Sequence, residues 1–300
     1  MHLLPRAVAT LLLSLLLVFG SAGDLKLSAL DLAILPHQHQ LVYWELTHLP
    51  DKWTHKVLSY LPWRSTGEEE RLENLREFFA LTGQIRSLED AILRGQQPQD
   101  NEVNGPDDPR EAAESLRDAR ERRAGLRPGV EETLEAYISG VAGNEGLDGW
   151  LGIIFPPIDV ALESPPLLLT ISPRHTISVE RSILLKPDMS LEEREALEDT
   201  IFQGEDLSAL VDGIGGVATY PSVVTEGSGL RGATITAAHE WLHTYWFLRP
   251  LGWNYWRSPE MTTLNETAAS LAGRELGLRA YSAMTGEPYE GIGGGESPER

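Results

Sequence analysis

The chain has 300 residues, 41% of them hydrophobic and 23% charged, values that exclude a wholly disordered protein. It carries 45 Asp+Glu against 25 Lys+Arg, a formal charge of −20, so its surface repels phosphate backbones and general nucleic-acid binding is not expected. There is no cysteine, which excludes disulfides, thiolate metal sites and thiol nucleophiles; any metal must be held by His, Asp or Glu.

Residues 1–23 have the order of a secretory signal. Arg6 supplies the charge, residues 7–20 form an apolar run dominated by leucine, and the small residues Ser21-Ala22-Gly23 precede Asp24. The run is short for a membrane span, which needs about 20 residues. The expectation is export, with the segment either cleaved or kept as a membrane anchor through 7–20.

Residues 24–145 read as a mainly helical region. A helical stretch at 41–61 is interrupted at Leu49-Pro50. Ser65 or Thr66 then opens a long helix, along which Leu72, Leu75, Phe79, Ile85, Leu88 and Ile92 recur mostly at three-to-four spacing. Residues 96–108, rich in Gln, Asn, Asp and Pro, predict a mobile linker. A charged helix follows over 109–123 with its stop at Gly125. Another starts at Pro128, with Val130, Leu134, Tyr137, Ile138 and Val141 on one face. The charge-rich stretches at 68–77 and 111–123 read as solvated faces, or as a helical hairpin available for self-association.

From residue 146 the texture changes. Residues 151–155, 167–172 and 176–185 predict strands, the last two as a hairpin around Pro173-Arg174-His175. Ser190 and Glu193 form a capping box that opens a helix over 190–203. Residues 213–224 predict a strand that Pro221 assigns to a sheet edge. Helices are expected over 232–248 and 259–278, and a disordered Gly/Glu/Pro-rich tail over 286–300. The fold class is therefore α+β: a catalytic-type domain over 146–285, preceded by the helical region.

Within the first of those helices lies His239-Glu240-Trp241-Leu242-His243, an H-E-x-x-H motif. Residues four apart share a helix face, so the two imidazoles can serve one Zn²⁺. Glu240 is rotated by about a quarter to a third of a turn, where it can take a proton from a metal-bound water without being a ligand. The second helix, opened by Ser258-Pro259-Glu260, carries Glu266, which is 23 positions after His243. With a turn at 249–252 between them, antiparallel helices can aim Glu266 at the histidine pair. Two His and one Glu hold one Zn²⁺ per chain and leave a fourth position open, the pattern of a catalytic site.

His239-Glu240-x-x-His243 followed by Leu264-Asn265-Glu266 resembles the gluzincin zinc metallopeptidases, the clan of thermolysin and the large zinc aminopeptidases. Tyr245, Trp246 and Phe247 after the second histidine are similar to the aminopeptidase branch. The resemblance covers residues 233–277 and implies a zincin-like domain: a small mixed sheet with an active-site helix and a ligand helix. It implies zinc ligation by His239, His243 and Glu266, with Glu240 as general base. It further implies an edge strand that binds the substrate backbone, here Gly216, Val217, Ala218 and Tyr220, and a tyrosine that stabilises the oxyanion, with Tyr220, Tyr255 and Tyr281 as the candidates. Ser270 stands where thermolysin-like enzymes carry an Asp that orients a ligand histidine. Asn265 also opens an Asn-Glu-Thr sequon, in a helix where glycosylation is not expected.

The expected function is zinc-dependent hydrolysis of peptide bonds in a peptide or protein substrate, outside the cytoplasm. Two alternatives stand beside it. One is an exported or anchored binding protein on a catalytically degenerate zincin fold; the other is a zincin-like hydrolase of a non-peptide substrate.

Overall fold

The computed structural model describes residues 27–41, 44, 67–96, 109–149, 152–176, 178–204, 206–247 and 249–289. Residues 1–26, where a signal is expected, most of the helix expected at 41–61, the linker expected beyond Gln96 and the tail from residue 290 lie outside the described residues. The helices in chain order are α1 (Ala29–Ile34), α2 (Glu68–Gln96), α3 (Pro109–Asn144), α4 (Leu191–Gly204), α5 (Gly229–Phe247), α6 (Pro250–Trp253) and α7 (Pro259–Thr285). The strands are β1 (Val160–Leu162), β2 (Leu167–Pro173), β3 (Arg181–Leu185), β4 (Leu207–Gly213), β5 (Gly216–Val217) and β6 (Ser222–Val224). The chain is thus mixed α/β, with long helices on the N-terminal side and two small sheets. Among the described residues no helix is long and apolar enough to cross a membrane.

The described residues fall into two compact units, one of those up to Gln38 together with Leu168–Asp212, the other of those within His39–Leu167 and from Gly213 onward. In the first, strands are ordered β3-β2-β4. Ser28 caps α1 by a reciprocal box with Asp31, and Arg181 on β3 pairs with Asp31 at 3.0 Å. The capping box expected for α4 is present: the Ser190 amide donates to Glu193 Oε2 at 2.8 Å, and the Glu193 amide donates to Ser190 Oγ at 3.2 Å. Of the strand expected at 176–185 only 181–185 is extended in the sheet, and β4 is an element that sequence reading missed.

The second unit holds the motif. Helices α2 and α3 form an antiparallel hairpin, seen in the pairings of Tyr137 Oη with Glu68 at 2.8 Å, Arg122 with Glu77, and Arg120 with Glu89 at 2.6 Å. The charge-rich stretches 68–77 and 111–123 meet at Arg122 and Glu77, while Glu68 and Arg120 find partners beyond them, in Tyr137 and Glu89. The two helices expected on either side of Gly125 are one helix, with Pro128 inside it. An internal proline costs about 3 kcal/mol. Here Ala112 and Ala119 before it, and Val130, Leu134 and Ile138 after it, bury on one continuous seam, and a break would forfeit that burial.

The sheet of this unit has the order β1-β6-β5, parallel for β1 with β6 and antiparallel for β5 with β6. The outer edge of β1 is closed by a helix instead of a strand. The amides of Val160 and Leu162 donate to Glu135 Oε1 at 2.9 Å and Glu131 Oε1 at 2.7 Å, both buried on α3. The spacing fits, because four residues of helix advance about 6 Å and two residues of strand about 6.6 Å. One cluster unites Leu75 and Phe78 of α2, Val130 and Leu134 of α3, Val160 of β1 and Trp241 of α5. The boundary expected at 146 runs through this cluster. The strand expected at 151–155 is irregular in its described part, and the one expected over 213–224 is two strands, β5 and β6, with a turn through Tyr220-Pro221.

Candidate metal centre

Helix α5 has no proline or interior helix breaker after Gly232, and it buries Ala233, Ala237, Ala238 and Trp241 on one side. The Trp241 indole donates to the Pro156 carbonyl at 3.0 Å, which fixes the rotation of the helix. That rotation turns His239 and His243 to the same side, with their Nε2 atoms 3.1 Å apart. Helix α7 runs antiparallel to α5 and lies on it backbone to backbone. A Cβ placed on Gly273 would meet His239 Cα at 2.7 Å, and one on Gly277 would meet Ile235 Cα at 2.5 Å. These two glycines, four apart, let α7 approach closely enough for Glu266 to reach the pair.

Glu266 Oε2 lies 3.6 Å from His239 Nε2 and 3.5 Å from His243 Nε2. Ligand atoms about 2.0–2.1 Å from a tetrahedral ion are about 3.4 Å from one another. For the triangle of 3.1, 3.5 and 3.6 Å, the in-plane point equidistant from all three atoms is about 2 Å from each, so an ion just above that plane fits. Two imidazoles and one carboxylate suit zinc and also other divalent transition ions. A second carboxylate is near, since Glu240 places a ligand-type atom within 4.8 Å of both histidines. Glu266 makes the tighter triangle, and Glu240, buried one position along α5, stands beside it.

The protonation pattern follows from one amide. Asn265 is buried, its Nδ2 donates to the Leu251 carbonyl at 3.2 Å, and its Oδ1 therefore faces His243 Nδ1 at 2.9 Å. Nδ1 must carry the proton, which leaves the Nε2 lone pair free to face the triangle. Burial pushes the Glu240 carboxyl up to about 7, against the opposing pull of the two histidines. Burial lowers His243, but the carboxylate of Glu266, 3.5 Å from its Nε2, the charge of Glu240 and the Asn265 bond together raise it above the ordinary value. The two histidines, 3.6 and 3.5 Å from its Oε2, hold Glu266 well below the carboxylate range.

The other residues singled out by sequence separate clearly. Gly216 and Val217 form β5 at the sheet edge, whereas Ala218 and Tyr220 lie beyond the strand. A Cβ on Gly216 would sit 2.9 Å from Glu240 Cγ and 2.8 Å from Thr236 Cγ2, so β5 runs directly against the face of α5 that bears Glu240. Of the three tyrosines, Tyr255 reaches the triangle: its hydroxyl donates to Glu266 Oε1 at 2.6 Å. Tyr281 interacts with Glu287 at the far end of α7, and Tyr220 precedes Pro221 in the turn before β6. Sequence reading missed Asn265 as a partner of His243, and missed Gly273 and Gly277; two glycines four apart in a strong helical pattern were the available signal.

No protein-family profile matches this chain, and comparison with curated proteins and with solved structures returns no match.

Proposed function

We propose that this chain is a metal-dependent peptide hydrolase of zincin-like architecture, with one zinc ion held by His239, His243 and Glu266. The observation that carries the reading is the ligand triangle with a fourth residue, Glu240, buried at its side and an edge strand laid against it. A divalent ion held by His239, His243 and Glu266 would supply Lewis acidity to the scissile carbonyl and to the attacking water. Glu240 accepts the proton of that water and returns it to the leaving amine. Asn265 keeps His243 in the tautomer whose Nε2 is a ligand. The open edge of β5 supports a peptide substrate, because an extended chain can add there as a further strand, next to Glu240.

The test uses full-length protein purified without chelator. Elemental analysis should find about one zinc per chain in wild type and in Glu240→Gln, and a loss in Glu266→Ala. Wild type should cleave a fluorogenic peptide library and Glu240→Gln should not. Zinc-loaded wild type that cleaves no peptide, or Glu240→Gln that cleaves as well as wild type, would refute the proposal.

A further inference from the structure

Tyr255 lies in the turn between α6 and α7 and is tied to α7 at both ends. Its carbonyl accepts from Thr262 Oγ1 at 2.7 Å, and its hydroxyl donates to Glu266 Oε1 at 2.6 Å. Thr262 and Glu266 are four apart, so the tyrosine lies along one face of the helix. Its ring stands edge-on to His243, with centroids 6.2 Å apart, and Trp256 packs edge-on against it at 4.6 Å.

Glu266 is the side chain that most needs such a hold. It is 43% exposed, against 21% for His239 and 13% for His243, and a free glutamate side chain has many rotamers to lose. Its two oxygens are divided: Oε1 belongs to Tyr255 and Oε2 faces the histidines. A phenol has one proton to donate, and here it is spent on Oε1.

Resting on the metal-centre reading above, we propose that Tyr255 is a positioning residue that presents Glu266 to the metal through a single oxygen, and that it is not the oxyanion donor. Replacing it leaves both histidines and Glu266 in place but frees the carboxylate to rotate.

The experiment is competition for Zn²⁺ against a chromogenic chelator on the full chain, with metal-free melting as a fold check. Tyr255→Phe keeps the ring and removes the hydroxyl. It should bind zinc about 10–100-fold more weakly with unchanged metal-free melting. Its hydrolytic rate should recover in excess zinc. Thr262→Val, which loosens the carbonyl end of Tyr255 and a longer 3.4 Å bond to the Ser258 carbonyl, should shift zinc affinity the same way by less, and it carries the test if Tyr255→Phe fails to fold. Unchanged zinc affinity with a lowered kcat at saturating zinc would assign Tyr255 to the oxyanion and overturn the proposal. Wild type that binds no zinc would overturn the metal centre and this inference together, whereas wild-type affinity in both variants overturns this inference alone.

Discussion

Gly273→Ala probes how the site is assembled. The new methyl would lie 2.7 Å from His239 Cα and 2.8 Å from its amide nitrogen, both backbone atoms in mid-helix that cannot swing aside. Carbon pairs settle at about 3.5–4.0 Å, so α7 must retreat from α5 by about 1 Å. Overpacking of this kind costs about 1–3 kcal/mol, and alanine's better helix propensity returns about 1 kcal/mol of it. The larger effect is on the triangle. Glu266 moves with α7, and its 3.5 and 3.6 Å separations widen beyond what one tetrahedral ion spans. Metal affinity should fall by at least about tenfold, and a misplacement of about 1 Å should cost hydrolysis about 100-fold. Gly125→Ala is the control, since nothing lies within 4 Å of its added methyl. It should stabilise by about 0.5–1 kcal/mol. Urea unfolding of the metal-free proteins and chelator competition read both quantities. A Gly273→Ala protein as stable as the Gly125→Ala variant, with wild-type metal affinity, would refute direct backbone contact between the two helices.

Glu131→Ala leaves the Leu162 amide without its buried acceptor and should cost about 1.5–3 kcal/mol in urea unfolding. Glu131→Gln, which keeps an acceptor oxygen, should lose less, and the Leu162 amide should exchange faster in the alanine variant. The Ser28 hydroxyl and amide, and then Arg181, hold Asp31 below its ordinary value. Its contribution is therefore present above the unfolded value near 3.9 and lost as pH falls through the lower folded one. An NMR titration should place Asp31 below a free aspartate, and Asp31→Asn should flatten this acid limb; a normal midpoint would contradict the capping geometry.

The motif helix was readable because its signals are local: two histidines four apart, no breaker between them, and Ser258-Pro259 setting the phase of the next helix so that Glu266 comes forward. What escaped reading depends on partners far along the chain. β1 is only Val160-Ala161-Leu162, too short to show a period, and its amides are satisfied by glutamates 25 and 31 residues earlier. Pro128 reads as a helix start until the seam on both sides of it is seen buried against α2. Asn265 matches a sequon, and only the Leu251 carbonyl, supplied by the short helix α6, shows which way its amide points.

The two carboxylates on α3 give the sheet a direction of growth. They occupy the positions where a neighbouring strand would dock, so on that side the ladder is capped. The other end of the order β1-β6-β5 has no such cap among the described residues. On this sheet, among the described residues, a passing extended chain finds a single berth, and that berth lies alongside Glu240. Under the proposed function, recruitment and unwanted self-pairing compete for the same few backbone groups, and crowding the protein should slow its own turnover.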